Sequence, residues 1–282
     1  MNGPRQSERV RTMAARTLPL VRHALQRSRI GVAGWSIGLV AASLLYLPIY
    51  PSMGATGQLD DVVSALPPEL VSTLGFTSIT TGAGYAQATL FGLLGFVLLT
   101  IASVGWGAAA IGGEEESGAL ELTLAHAVTR RQVALEAALA LGLRLAAVCG
   151  VLLVAILALN GPSELELTPG HVVAGVLALY VLSLLSGFAA IAAGALTGSR
   201  TASVGTGAGI AVLGYALNAV GNQTEATGWL KNFSPYNWAF GPAPLANGFA
   251  DGAGAGMAVI FGVCGVLVVV AVVGLSRRDI GR

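Results

Sequence analysis

The fold class this sequence predicts is an all-α integral membrane protein that crosses the bilayer six times. Three observations predict it. Of the 282 residues, 54% are hydrophobic and only 10% are charged, against about 25% charged in soluble domains. The mean hydropathy is +0.74. So few charges do not cover a water-exposed surface, which excludes a soluble globular enzyme, and disordered chains are polar and charge-rich, which excludes disorder. The second observation is a set of six apolar stretches, each near the roughly 20 residues that span a bilayer core. The third is the placement of the few charges.

The stretches run about Ile30–Tyr50, Tyr85–Ile111, Ala137–Leu159, Val172–Leu196, Ala202–Val220 and Ala253–Leu275. The first is too long, and starts too late, for a cleavable signal peptide, and five more follow it. The second is long enough to tilt or to continue past the bilayer. The fifth is short and rich in glycine. Arg5, Arg9, Arg11, Arg16, Arg22, Arg27 and Arg29 precede the first stretch. Arg130 and Arg131 follow the second, Arg200 follows the fourth, and Arg277, Arg278 and Arg282 follow the sixth. The opposite loops hold Lys231 alone, beside Asp60, Asp61, Glu69, Glu164, Glu166, Glu225 and Asp251. Thirteen basic residues against one predict cytoplasmic termini.

The connecting pieces are small. Ala14–Ser28 sets Leu18, Leu20, Val21 and Leu25 among Arg16, Arg22 and Arg27, the pattern of an amphipathic helix in the cytoplasmic interface. A second such helix is expected outside, over Leu59–Leu74, interrupted at Pro67-Pro68. Asn222–Asp251 carries Pro235, Pro242 and Pro244 and the turn Asn232-Phe233-Ser234, so it reads as a broken, partly re-entrant external segment. No loop is long enough to bury a core of its own, so residues 1–282 form a single transmembrane domain.

The chain lacks the residues of several chemistries. It has no G-x-x-x-x-G-K-[ST] to cradle nucleotide phosphates and no H-E-x-x-H. Its three histidines are scattered, and Cys149 and Cys264 lie in apolar runs as small buried hydrophobes. Inside the spans the ionisable candidates are Glu136 and Arg144, about two helical turns apart. They either line a polar path, or Glu136 sits at the interface and Arg144 snorkels towards it. Ion-driven carriers keep intramembrane carboxylates for the coupling ion. A transporter-like chain without these, and without a nucleotide site, takes its energy from a partner.

The loop after the second stretch is the densest mixed-charge segment. It runs from Gly112 to Arg131, with Glu114, Glu115 and Glu116 leading and Arg130 and Arg131 closing. That polarity matches a helix dipole. Leu120, Leu124 and Val128 recur every four residues, which predicts one apolar stripe on a short helix. Such a helix either bridges two spans or docks into a partner's groove.

The pattern E-E-x-G-x-L-E-L-x-L-x-x-x-V-x-R, here Glu115, Glu116, Gly118, Leu120, Glu121, Leu122, Leu124, Val128 and Arg130, resembles the membrane subunits of ABC transporters of the type-two export class (type V fold). Three more stretches resemble the same family: Gly194-Ala195-Leu196-Thr197-Gly198-Ser199-Arg200, Ser234-Pro235-Tyr236-Asn237-Trp238 with Pro244-Leu245, and Arg277-Arg278-Asp279-Ile280. They occur in the family's order and cover nearly the whole chain. Glu136 departs from the pattern, standing where such permeases frequently carry a basic residue.

The resemblance implies a permease subunit that binds no cofactor itself. ATP and Mg sit on a separate pair of ATPase subunits, which a cytoplasmic coupling helix contacts through Glu115, Glu116, Gly118, Leu120, Glu121, Leu124, Val128, Arg130 and Arg131. A second permease chain, identical or sister, completes the assembly, and Gly205-x-x-x-Gly209 and Gly252, Gly254 and Gly256 allow close approach of backbones. Nucleic acid is not an implied partner. Tyr85, Phe91, Phe96, Trp106 and Arg144 are candidates to line the substrate path. An almost uncharged interior suits an amphipathic drug, antibiotic or lipid-like substrate, which the resemblance to bacterial drug and polyketide antibiotic exporters also implies. The fourteen arginines against one lysine suit a GC-rich bacterial genome and the bacterial plasma membrane. Three other readings stand beside this one: an ion-coupled carrier or channel, a non-transporting scaffold or sensor of the same form, and an intramembrane enzyme.

Overall fold

A computed structural model describes residues 18–54, 64–67, 70–71, 79–125 and 128–278. Among these, every regular element is a helix. Helix α1 is Pro19–Arg27 and α2 is Arg29–Tyr46, which continues through one tight turn to Met53. Helix α3 is Gly82–Glu116, α4 is Ala119–Leu124, α5 is Arg130–Asn160, α6 is Pro169–Thr197 and α7 is Arg200–Gly221. A short 3-10 stretch, Glu225–Phe233, leads to α8 (Pro235–Phe240), α9 (Pro244–Asn247) and α10 (Ala253–Arg277). Six of these helices, α2, α3, α5, α6, α7 and α10, are long and apolar enough to cross a membrane. The protein is therefore a helical, multi-pass membrane protein. The Leu59–Leu74 helix and residues 1–17 fall largely or wholly outside the described residues.

Side-chain oxygens start four of these helices by accepting an otherwise orphaned backbone N–H. Thr81 accepts from Gly84, Thr129 from Gln132, Ser199 from Ala202 and Ser234 from Asn237, at 3.0–3.3 Å. Two helices run further than hydropathy alone predicts. Helix α3 continues through Glu114–Glu116, because glutamate is a good helix former and the turn comes only at Ser117 and Gly118. Helix α5 begins at Arg130, where Thr129 caps it, so Glu136 lies in its second turn. Within α3, Gln87–Gly95 and Ala109–Gly113 are π-helical and bracket the α-helical centre.

Helix α6 is the hub. Its apolar window is 83% buried, against 28% for α2, α7 and α10, and it packs on α3, α5, α7 and α10. Small residues make this possible. A Cβ added to Gly107 of α3 would sit 2.5 Å from the Gly187 carbonyl oxygen of α6. One added to Gly207 of α7 would sit 2.7 Å from the Ser186 carbonyl oxygen. One added to Gly194 would sit 2.9 Å from the Gly112 nitrogen. The backbones thus meet directly, as small-residue interfaces permit in lipid. Ser103 Oγ donates to the Ser183 carbonyl at 2.6 Å and ties α3 to α6.

Helix α1 lies on the first half of α5. The Glu136 carboxylate accepts from Val21 N–H at 2.9 Å and from Gln132 Nε2 at 2.6 Å. Arg144 Nη2 donates to the Ala24 carbonyl at 3.1 Å, near the C-terminal end of α1, where a cation also suits the helix dipole. The two ionisable residues of this span thus hold one neighbouring helix, and Glu136 is buried.

The glycine contacts give a paired prediction. Gly107→Ala will lower unfolding stability in mixed micelles by about 1–3 kcal/mol, the usual cost of overpacking. Gly105→Ala, where an added Cβ meets nothing within 4 Å, will leave stability unchanged or raise it by up to about 1 kcal/mol, the helix-propensity gain. Denaturation by sodium dodecyl sulfate followed by tryptophan fluorescence reads both, and equal behaviour of the two variants contradicts the packing described.

Candidate functional site

The loop after α3 turns at Ser117 and Gly118. Gly118 has φ 73°, a left-handed conformation that favours glycine, and it redirects the chain from α3 into α4. The carboxylate of Glu115 then faces Arg278, just past the end of α10. Arg278 Nη2 lies 2.5 Å from Oε1 and Nη1 lies 3.1 Å from Oε2, a bidentate pair. Arg278 Nη1 also reaches the Gly194 and Ala195 carbonyls at 3.4 and 3.3 Å. These belong to the last turn of α6, where the Gly194 carbonyl also accepts the Gly198 N–H at 2.8 Å. Gly198, with φ 68°, passes beneath the pair, and a Cβ there would collide with Glu115 Oε1 and Arg278 Nη2. Arg130 Nη1 donates to the Arg278 carbonyl. Glu116 Oε1 accepts the Arg200 backbone N–H at 2.8 Å, so a carboxylate occupies the positive end of α7.

Four segments distant in sequence therefore meet at one end of the bundle: 114–124, 194–200, 130 and 278. Leu120 is fully buried and anchors α4 to its own bundle. Leu124 and Val128 are half-buried against the same core. The expected single stripe is corrected here. Helix α4 ends at Leu124, while Val128 and Thr129 are non-helical, because Thr129 must be extended to cap α5. The stripe is assembled from two elements. Glu121 and Leu122 face outward, Leu122 being 68% exposed. Arg131 is exposed too, on a different side, against Val272, Val273, Ser276 and Arg277.

Four of the five side chains expected along a path fall in three groups, and Phe91 stands apart from all of them. Tyr85 packs on Tyr50 at 5.3 Å between ring centroids, and its hydroxyl donates to the Tyr46 carbonyl at 2.9 Å. Phe91 is fully buried within the bundle. Phe96 joins Tyr215 and Tyr236, at 6.3 and 5.3 Å. Trp106 and Arg144 form a third group, with the guanidinium 5.9 Å from the ring centroid. Tyr236 also donates to the Gly92 carbonyl at 2.9 Å, inside the first π segment. Burial, and then neighbouring Tyr215, pushes the Tyr236 hydroxyl up from the usual phenol range, which keeps it a neutral donor. Ser234 Oγ donates to Gly214 O at 2.6 Å, so the 225–247 segment is tied to both α3 and α7.

Among the described residues no cluster of His, Cys, Asp and Glu is arranged to hold a metal ion. Comparison with protein-family models, with curated proteins and with solved structures returned no match. The site therefore rests on its own geometry. Spacing along the chain pointed to Glu115, Glu116 and Arg130 but not to their partners. Gly198, Arg200 and Arg278 stood in stretches that carry the family resemblance, but nothing there told which partner each would meet, because their contacts exist only once α6, α7 and α10 have packed.

The pair at Glu115 and Arg278 is measurable. Their side chains are 18% and 25% exposed, so solvent screens them only in part. A double-mutant cycle with Glu115→Gln and Arg278→Gln, read by unfolding in mixed micelles, will show a coupling of about 1–2 kcal/mol. Additive single losses would mean the pair contributes nothing.

Proposed function

We propose that this chain is the membrane subunit of an ATP-driven exporter that moves an amphipathic or hydrophobic substrate, with hydrolysis on separate ATPase subunits. The observation that carries this reading is the convergence on Arg278. Helix α4 is not a loose linker. It follows directly on an acidic turn bonded to the ends of α6, α7 and α10. A load on the outward face at Glu121 and Leu122 therefore passes to three long helices at once. In this mechanism ATP binding closes the ATPase pair, α4 carries the load, and Glu115, Glu116 and Arg130 transmit it. This refines the expected coupling set, since those three side chains already have partners within the chain.

The far end supports the same logic. Tyr236 and Ser234 bond the 225–247 segment to α3 and α7, so movement of those helices reaches the region where substrate would leave. The segment then acts as the external re-entrant element, and α1 as the interfacial helix, held by Glu136 and Arg144. The engagement of Glu136 by two donors also favours ATP over an ion gradient, because a coupling carboxylate must be free to exchange its ion. The arginine-rich end faces the cytoplasm of a bacterial cell, and a second permease chain completes the assembly.

A photo-crosslinking amino acid at position 121 tests the reading in native membranes. The crosslinked product will be a nucleotide-hydrolysing subunit by mass spectrometry, while the same probe at position 231, at the opposite end, will not capture it. Glu121→Arg will lower co-purification of that subunit at least about tenfold, the effect of losing roughly 1.4 kcal/mol. Glu115→Gln will leave association intact and reduce drug-stimulated ATP turnover. A purified complex in which neither substitution alters association or turnover would remove α4 as the coupling element.

A further inference from the structure

Four arginines stand where the end of α10 meets the start of α5: Arg130, Arg131, Arg277 and Arg278. They divide into an inner and an outer pair. Arg130 and Arg278 turn inward, one to a carbonyl and the other to Glu115. Arg131 and Arg277 turn outward, are exposed, and have no hydrogen-bond or ion-pair partner among the described residues. The bond from Arg130 to the Arg278 carbonyl holds the two helix ends together. It thereby sets the outer arginines on one cavity of about 380 Å³, lined also by Val272, Val273 and Ser276. That volume is at the lower end of the ~300–1,000 Å³ usual for ligand pockets.

The chemistry of this cavity is two-sided. Val272 and Val273 belong to the last turns of a membrane-crossing helix and form an apolar wall. Ser276 Oγ donates back to the Val272 carbonyl at 2.6 Å, so its hydroxyl hydrogen is already engaged. The two guanidinium groups supply the cationic rim. A ligand that satisfies both sides carries an anion joined directly to apolar chain. A free phosphate leaves the valines unused, and an acidic protein side chain brings no apolar tail. We propose that this cavity is a binding site for an anionic phospholipid of the cytoplasmic leaflet. The headgroup phosphate sits between Arg131 and Arg277, and the first acyl methylenes lie on Val272 and Val273. Basic pockets between helices at this membrane depth recognise such headgroups, and each basic residue near an anionic surface contributes roughly fivefold. The site is independent of the energy source proposed above.

The full-length protein is reconstituted in nanodiscs of equal parts phosphatidylglycerol and phosphatidylcholine, then released for native mass spectrometry. The wild type will retain phosphatidylglycerol over phosphatidylcholine by about thirtyfold, the product of two such arginines. Arg131→Gln with Arg277→Gln will abolish that preference, whereas Arg131→Lys with Arg277→Lys will keep most of it and guards against a folding artefact. Arg22→Gln with Arg29→Gln removes the same charge from the same end and will leave the preference intact. Equal loss in that control pair assigns the effect to general surface charge and overturns the site. So does displacement of the lipid by millimolar inorganic phosphate, which would make the ligand a soluble anion. A double glutamine variant that keeps its lipid preference but no longer co-purifies with an ATPase subunit would make the arginines a protein contact instead.

Discussion

The structure depends on backbone contact around α6. In lipid no hydrophobic force drives helices together, so their association rests on packing and on hydrogen bonds between them. Gly107, Gly187, Gly194 and Gly207 let α3 and α7 approach α6 to backbone distance. The Ser103 bond to the Ser183 carbonyl then fixes the register of α3 against α6. Once that register is set, Gly112 lies against Ser199 and the end of α3 arrives beside the end of α6. The positions of Glu115, Glu116 and Arg200 follow from it.

Those charges solve a problem that their sequence poses. Three consecutive carboxylates at a membrane exit face an unfavourable field near anionic lipid. The chain answers by spending two of them internally. Glu115 neutralises Arg278, and Glu116 takes the amide at the head of α7. The result is a cluster with little net field but strong directional bonds. It ties several elements together, because Glu115 bonds the end of α10, Glu116 bonds the start of α7 and Arg278 reaches on to the end of α6, and it leaves Glu121 and Leu122 as the outward face of the loop.

The six crossing helices were legible in the sequence because hydropathy reports the solvent of a helix, and lipid tolerates few charges. Helix ends were less legible. Glu114–Glu116 read as the N-terminal end of one short helix closed by Arg130 and Arg131, but the glutamates end α3 and the arginines begin α5, so the two charge clusters belong to different helices. The four-residue spacing of Leu120, Leu124 and Val128 suggested one helix, but the capping demand of Thr129 splits it. Glu136 and Arg144 stood out as ionisable groups in a span. That they hold Val21 and Ala24 of α1 was not visible, since spacing within one helix carries no information about what lies on it. The aromatic candidates failed to share one surface for the same reason: Tyr85, Phe96 and Trp106 face different neighbours.

The order in which the chain is made bears on how this end of the bundle closes. Helix α6 is synthesised after α3 and α5 but before α7 and α10, so only the side that meets the later helices first stands in lipid. Its Ser183 hydroxyl is bonded to its own Leu179 carbonyl and needs no partner from another helix during that interval. Glu115 is in the opposite position. Its partner lies 163 residues downstream and arrives only when the last span has inserted. Until then Glu115 and the end of α6 lack the guanidinium that Arg278 brings. The Arg278 contact therefore forms last, and a chain truncated before it would keep all six spans and the Glu116 bond to α7, yet lose the tie from Glu115 to the ends of α6 and α10.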